Sequence, residues 1–473
     1  MSTTTLNPEL KSQLKDIVGN AFVDDPVQMA AYVCDALGHY EAIASMILKP
    51  KNTNEVSKIV RLCSENNISF VPQGGNTGLV AGAIPGPEKA ELIISLERMD
   101  AIHEIDPINS TMTVDAGCIL ENIQNSADAI DRLFPLSLAA EGSCQIGGNL
   151  ATNAGGTAVL KYGNARDLVL GLEVVLPNGE VWDGLRALRK DNAGYDLKQL
   201  FLGSEGTLGV ITRAVLKLFP KPRSVCTALV AFPDIEATTL LLNLLREKTG
   251  DMLNAFEYMD KHCFDLLDEH SDLSNPFSQS FSHYALIELS SSHDSDLNAV
   301  LEGVLVEAFD SSIVLDALIG ASLTQKQYFW KMRETIPTAY KKLGFGVIFD
   351  ISVPVSSVPL FIHQANEFMK NNAPTARTLT FGHIGDGNIH YSAMQPKEGD
   401  VAAFRSLKKD LTVGINNLAI NLNGSFTAEH GVGFAKVDEL LRYRSETEVR
   451  LMKQIKSTLD PQNICNPGKV VSW

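Results

Sequence analysis

Pro72-Gln-Gly-Gly-Asn-Thr-Gly-Leu79 closes a local pattern that decides the fold of the first half of the chain. Before it, Val56, Ile59, Val60 and Cys63 recur at helical spacing, and Ile68-Ser-Phe-Val71 is a short β-rich run. A helix therefore feeds a strand, and the strand ends in a loop whose glycines permit positive φ and close backbone approach. A second dense loop follows: Ala140-Glu-Gly-Ser-Cys-Gln-Ile-Gly-Gly-Asn149, continuing through Thr152-Asn-Ala-Gly-Gly156. Gly-Gly pairs among Asn, Thr and Ser expose N–H groups and hydroxyls without Cβ crowding, as binding a pyrophosphate requires. Neither loop is a Gly-x-Gly-x-x-Gly opening a helix, and no Gly-x-x-x-x-Gly-Lys-Ser/Thr occurs, so a Rossmann dinucleotide site and a P-loop are both disfavoured.

Outward from these loops, strand signals appear at Leu92–Leu96, Thr111–Ala116 and Leu172–Leu176, where Pro177-Asn-Gly179 turns the chain toward Val181-Trp182. The glycine-rich character stops near Phe219-Pro-Lys-Pro222. Beyond it, strands at Thr227–Phe232 and Tyr284–Leu289 alternate with helical stretches at Glu236–Leu245 and Asp296–Ala308. A domain boundary is expected there. Ser445 and Glu448 predict a capping box for a helix that buries Met452, Ile455 and Leu459 before Asp460-Pro461 stops it.

A chain of 473 residues has room for two or three domains, and 45% hydrophobic with 20% charged residues is a globular balance. Subtracting 56 acidic from 40 basic side chains gives −16, which opposes attraction to nucleic acid or anionic lipid. Seven scattered cysteines without a Cys-x-x-Cys pair fit a reducing compartment, and no export signal or membrane span is read. A cytoplasmic location is expected.

The second half carries Phe381-Gly-His-Ile-Gly-Asp-Gly-Asn-Ile-His390 and, later, Thr427-Ala-Glu-His-Gly431. Gly385-Asp-Gly-Asn388 is turn chemistry between apolar flanks, so a hairpin bringing His383 and His390 face to face is predicted. Imidazole with carboxylate suits zinc or a similar divalent ion. Taken alone, either segment reads more readily as structural histidines, and the rest of the chain shifts the balance.

The two loops, with Lys190-Asp-Asn-Ala-Gly-Tyr-Asp-Leu197 and Leu202-Gly-Ser-Glu-Gly-Thr-Leu-Gly-Val-Ile211, resemble the FAD-binding domain of the vanillyl-alcohol oxidase/p-cresol methylhydroxylase superfamily. The histidine segments resemble its branch of D-2-hydroxy acid dehydrogenases, which includes D-lactate, D-2-hydroxyglutarate and glycolate-oxidising enzymes. The resemblance implies an α+β fold: a two-subdomain FAD-binding PCMH-type domain over residues 1–222, a ferredoxin-like cap domain with antiparallel sheet and metal site over 223–435, and a segment 436–473 returning to the FAD domain.

It also implies roles. Pro72, Gly74, Gly75, Asn76, Thr77 and Gly78 would wrap the FAD pyrophosphate with Gly142, Ser143, Gly147 and Gly148, while Asn153, Gly155, Gly156, Glu205, Gly206 and Ile211 complete the pocket. No histidine stands in the first loop to tether FAD, so non-covalent FAD is expected. His383, His390 and Glu429 match the metal ligands, His430 the catalytic base, and Arg333 and Asn388 the contacts to the substrate carboxylate.

Dicarboxylate-oxidising relatives often carry a lysine two residues before an Asp-x-Ser motif and a hydroxyl four residues after the arginine. Here those places hold Ile348 and Pro337. Either the alignment slips and brings Lys341 or Lys342 into play, or a distal carboxylate is not bound in the usual way. The resulting expectation is a zinc-assisted, FAD-dependent dehydrogenase that favours a D-2-hydroxy monocarboxylate and passes electrons to a soluble acceptor such as an electron-transfer flavoprotein or cytochrome. A homodimer is expected. The alternatives are an oxidase releasing hydrogen peroxide, a D-2-hydroxyglutarate-specific enzyme, and a non-catalytic flavoprotein subunit.

Overall fold

The structure, a computed structural model, describes residues 6–86 and 91–472. The chain forms two compact units. One comprises Met1–Gly155, Gly163–Lys221 and Glu429–Trp473; the other comprises Gly156–Tyr162 and Pro222–Ala428. The chain crosses briefly at Gly156–Tyr162 and again at Pro222. It returns to the first unit at Glu429, and the glycine turn after His430 is held by Glu205 of that unit.

In the first unit the helix Thr53–Glu65 starts at Asn52, whose side chain accepts from Glu55 N–H, and it buries Val56, Ile59, Val60 and Cys63. It leads into the strand Phe70–Gln73, the edge of a four-stranded sheet ordered Phe22–Val23, Ala44–Leu48, Glu91–Ser95, Phe70–Gln73. The last three are parallel, and Leu92, Ile93 and Ile94 form the unbroken apolar run of a strand buried on both faces. A five-stranded antiparallel sheet is ordered Ile102–Asp106, Thr111–Asp115, Val210–Lys217, Val169–Val175, Val181–Gly184.

The C-terminal helix Glu446–Leu459 has the expected capping box between Ser445 and Glu448. Its buried face differs from expectation. Ile455 is 39% exposed, and the buried residue is Lys456 at 3%. The ammonium group donates to Thr207 O and Cys465 O, both at 2.7 Å, and to the Asp460 carboxylate. Asp460 in turn accepts from Ile464 and Cys465 N–H. All three ammonium protons thus have acceptors, which removes the usual objection to a buried lysine. Phe70 N–H donates to Ile464 O and Asn466 N–H to Phe70 O, so the tail lies against the strand that carries the first loop.

The second unit is built on a seven-stranded antiparallel sheet ordered Asp316–Ile319, Ser224–Phe232, His283–Ser291, Leu253–Asp260, Arg377–Gly382, Asn388–Met394, Gly346–Ser352. Alternate residues serve two cores. Ala228, Val230 and Phe232 pack on one face, with Leu241 and Leu301 of the helices Ile235–Thr249 and Leu297–Asp310. Leu229 and Ala231 pack on the other, with Phe329, Met332 and Ile336 of the helix Leu323–Ala339. Among the described residues no helix is long and apolar enough to cross a membrane.

Replacing Lys456 by Ala leaves the Asp460 carboxylate buried and unpaired. The expected loss is about 3–5 kcal/mol, the range for breaking a buried ion pair. Urea denaturation of Lys456→Ala beside the parent protein measures it.

Candidate active site

The first loop continues from the strand Phe70–Gln73, and its conformation is locked from behind. Gln73 donates to Tyr32 O and Ala83 O, and Asn76, at φ +52°, donates to Cys34 O. A Cβ on Gly75 would lie 2.2 Å from Ser143 O, so glycine is what lets the two loops approach. The pocket they form is lined by Pro72, Gly74, Gly75, Asn76, Thr77, Gly78, Gly147, Gly148, Glu205, Gly206 and Ile211 of the expected residues, together with His430.

The remaining expected cofactor residues do not line this pocket. Gly142 sits beside Glu121, and Ser143 contributes its carbonyl against Gly75 from outside the lining. Asn153 accepts through its side-chain oxygen from Arg166 N–H at 3.0 Å. Gly155 ends a segment of the first unit, and Gly156 belongs to the second unit. Sequence reasoning missed Gln145 and Asn149, which lie between the glycines of the second loop and line the pocket. Their side-chain oxygens are buried without a hydrogen-bond partner among the described residues. A flavin nucleotide, with its hydroxyl and N–H donors, fits such acceptors.

Glu205 also lines the pocket, yet its carboxylate is committed elsewhere. Each oxygen accepts at 2.7 Å from Val432 or Gly433 N–H. Burial pushes its carboxyl pKa up, and those two N–H groups oppose the rise. Gly433 itself, at φ +51°, approaches so closely that a Cβ would lie 2.1 Å from Val80 O. This grip fixes the turn that begins just after His430. The His430 ring stands 3.5 Å from the Glu429 carboxylate.

The second unit gathers the other chemical groups on one sheet face. His383 follows the strand Arg377–Gly382, and His390 lies in the strand Asn388–Met394 opposite Phe381 and Asp350. The predicted hairpin is present, and the two imidazole rings lie 5.4 Å apart at 82°. His383 sits in the connection rather than directly across from its partner. Its Nδ1 lies 2.7 Å from Glu257 Oε1, while Glu257 Oε2 accepts from Arg333 Nε at 2.9 Å. Burial would raise the Glu257 carboxyl, but His383 and Arg333 prevail and hold it at about 2. The Arg333 guanidinium also lies 4.8 Å from the Phe381 ring centre.

Asp350 holds the other side of this cluster. It is 1% exposed, and it accepts from Asn388 Nδ2 at 3.0 Å and from Ala428 N–H at 3.0 Å; its Oδ1 lies 3.8 Å from His390 Nδ1. Asn388 gives its other amide proton to Ile351 O. Both amide protons are thus donated within the fold, and Asn388 supports Asp350. Sequence reasoning missed both Glu257 and Asp350 as members of the cluster. Their signal was a single carboxylate amid apolar neighbours in a strand, Phe256-Glu257-Tyr258 and Phe349-Asp350-Ile351.

Ile348 shares its sheet face with Asp350, two residues away on the same strand, and is 40% exposed. Lys342, one of the two lysines a register slip would bring in, donates to His270 O on the exposed surface.

Residues 44–184 match the family described as FAD binding domain, and residues 221–470 match the FAD linked oxidases, C-terminal domain. The D-2-hydroxyglutarate dehydrogenase, mitochondrial, of Arabidopsis thaliana is 37% identical over 99% of this chain and 82% of its own length. The chain belongs to the FAD-linked D-2-hydroxy acid dehydrogenases. The D-2-hydroxyglutarate–pyruvate transhydrogenase of Saccharomyces cerevisiae is 34% identical over 94% of this chain and 90% of its own length. The crystal structure of p-cresol methylhydroxylase with substrate bound matches with TM-score 0.79 at 14% identity, covering 98% of this chain and 96% of that one, and shares the fold. This dehydrogenase is thus an FAD-dependent oxidoreductase acting on the CH–OH group of D-2-hydroxy acids, with the expected PCMH-type α+β architecture.

A side chain at Gly75 pushes the Ser143 carbonyl and the second loop away. Gly75→Ala is expected to purify with less than half the bound flavin of the parent, read from the ratio of flavin to protein absorbance.

Proposed function

We propose that this dehydrogenase oxidises a D-2-hydroxy monocarboxylate with non-covalent FAD and a zinc-type ion, His430 taking the hydroxyl proton. The observation that carries the reading is that His430 lines the same pocket as the glycine loops of the FAD domain. Bound FAD supplies the acceptor for the hydride leaving the substrate carbon. A divalent ion held by His383, His390 and Glu429 supplies acidification of the hydroxyl, since zinc takes the pKa of water from 15.7 to about 7. The donor chemistry fits: Glu257 bonded at Nδ1 of His383 favours the tautomer whose lone pair is on Nε2, and imidazole nitrogen with carboxylate oxygen suits zinc. Glu429 directly follows Ala428, whose N–H is held by Asp350.

His430 is suited to receive the proton because imidazole titrates near neutrality. The Glu205 grip on the following turn keeps it in place. Arg333 uses Nε on Glu257, which leaves its terminal nitrogens for the substrate carboxylate. Ile348 favours an apolar substrate tail, because a carboxylate buried against an aliphatic chain without a partner costs several kcal/mol. A D-2-hydroxyglutarate preference is the second reading, favoured by the names of relatives in the 34–38% identity range. Electrons would leave to a soluble acceptor protein rather than to oxygen. The seven free cysteines support a reducing compartment rather than the cytoplasm in particular, since several relatives are named as mitochondrial.

Acid precipitation is expected to release all the FAD into the supernatant. His383→Ala, His390→Ala and Glu429→Ala should each lose zinc and most turnover while keeping FAD, whereas His430→Ala should keep zinc and FAD yet reduce its flavin roughly 100-fold more slowly. Stopped-flow reduction together with metal analysis separates the two classes; unchanged zinc in the first three rejects the ligand set.

Substrate choice is decided by comparing kcat/KM for D-lactate, D-2-hydroxybutyrate, D-malate and D-2-hydroxyglutarate, with Ile348→Lys alongside. The variant should move the preference toward dicarboxylates by tenfold or more. A tenfold parental preference for D-2-hydroxyglutarate selects the second reading.

A further inference from the structure

We propose that Glu257 is a positioning residue that locks the metal ligand His383 and the carboxylate-binding Arg333 into one rigid group. The inference rests on the metal reading above and adds to it a residue that touches neither ion nor substrate.

Glu257 comes from the strand Leu253–Asp260, Arg333 from the helix Leu323–Ala339, and His383 from the turn after Arg377–Gly382. Three separate elements therefore meet at one carboxylate that is 1% exposed. Its two oxygens are divided: Oε1 lies 2.7 Å from His383 Nδ1, and Oε2 lies 2.9 Å from Arg333 Nε. An ionised carboxylate only accepts hydrogen bonds. Nδ1 of His383 must then carry the proton, and the neutral ring has its lone pair on Nε2, the form in which imidazole ligates metal. Arg333 always donates, and its plane is fixed twice, by the Nε bond and by the Phe381 ring 4.8 Å away.

The consequence concerns the substrate. A 2-hydroxy acid presents its hydroxyl and carboxylate on adjacent carbons, so the groups that receive them must keep a fixed separation. Glu257 supplies that spacing with one side chain, bonded to a receiving group through each oxygen.

The test is Glu257→Gln, nearly the same shape. An amide has one acceptor oxygen, which Arg333 claims, so its NH2 faces His383 Nδ1 and drives the imidazole proton to Nε2. Zinc binding to the purified FAD-loaded enzyme, measured by chelator competition, should weaken 10- to 100-fold, the usual effect of losing a ligand's hydrogen-bond partner. The KM for D-lactate at saturating zinc should rise, with FAD content unchanged. In a His383→Ala background the same change should leave zinc affinity within twofold. If Glu257→Gln is unstable, Glu257→Ala assayed with and without formate replaces it; formate should restore zinc affinity. Parent-like zinc affinity and KM in Glu257→Gln, with His383→Ala still losing zinc, overturns the proposal and leaves the metal reading intact. Zinc binding unaffected in His383→Ala overturns both.

Discussion

A carboxylate taken out of water must find all its hydrogen bonds within the fold, and the architecture of this enzyme follows from meeting that demand at a few points. Glu205 accepts from Val432 and Gly433, Asp350 from Asn388 and Ala428, Glu257 from Arg333 beside His383, and Asp460 from Lys456, Ile464 and Cys465. Left unpaired, each would cost several kcal/mol, comparable with the whole stability of a domain. Most of these contacts join segments distant in the sequence, so they determine which loops close on which.

Two of these carboxylates act by gripping backbone. Glu205 belongs to the wall of the pocket formed by the glycine loops and holds the turn after His430, coupling those loops to the segment that carries His430 within one unit. Gly433 permits that turn because only a residue without Cβ can stand so close to Val80 O at positive φ. Asp350 gathers the end of one strand, the start of another and the backbone leading to Glu429. The chemistry is thus carried on short segments whose positions are set by buried charges behind them.

Where expectation and structure part, hydrogen bonding is the reason. Helical spacing suggested that Ile455 is buried, but Lys456 turns inward because three acceptors converge on it. Gly142 and Asn153 lie in the right loops, yet outside the pocket wall, since the second loop turns Gln145, Gly147, Gly148 and Asn149 toward the cavity. A loop's composition says that it binds; its path says which residues do.

The sequence by itself determined the glycine loops and their preceding helix and strand, the hairpin that carries His383 and His390, and the family. These are local matters, settled by φ preferences, apolar periodicity and turn chemistry within about ten residues of each other. Only the tertiary structure decided that Glu257 joins Arg333 to His383, that Asp350 backs His390, that Glu205 grips the turn beyond His430, and that the tail locks onto Phe70 through Lys456. Such pairings depend on which strands become neighbours in the sheet and on which donors are left when water is excluded, and neither is written in any local stretch of the chain.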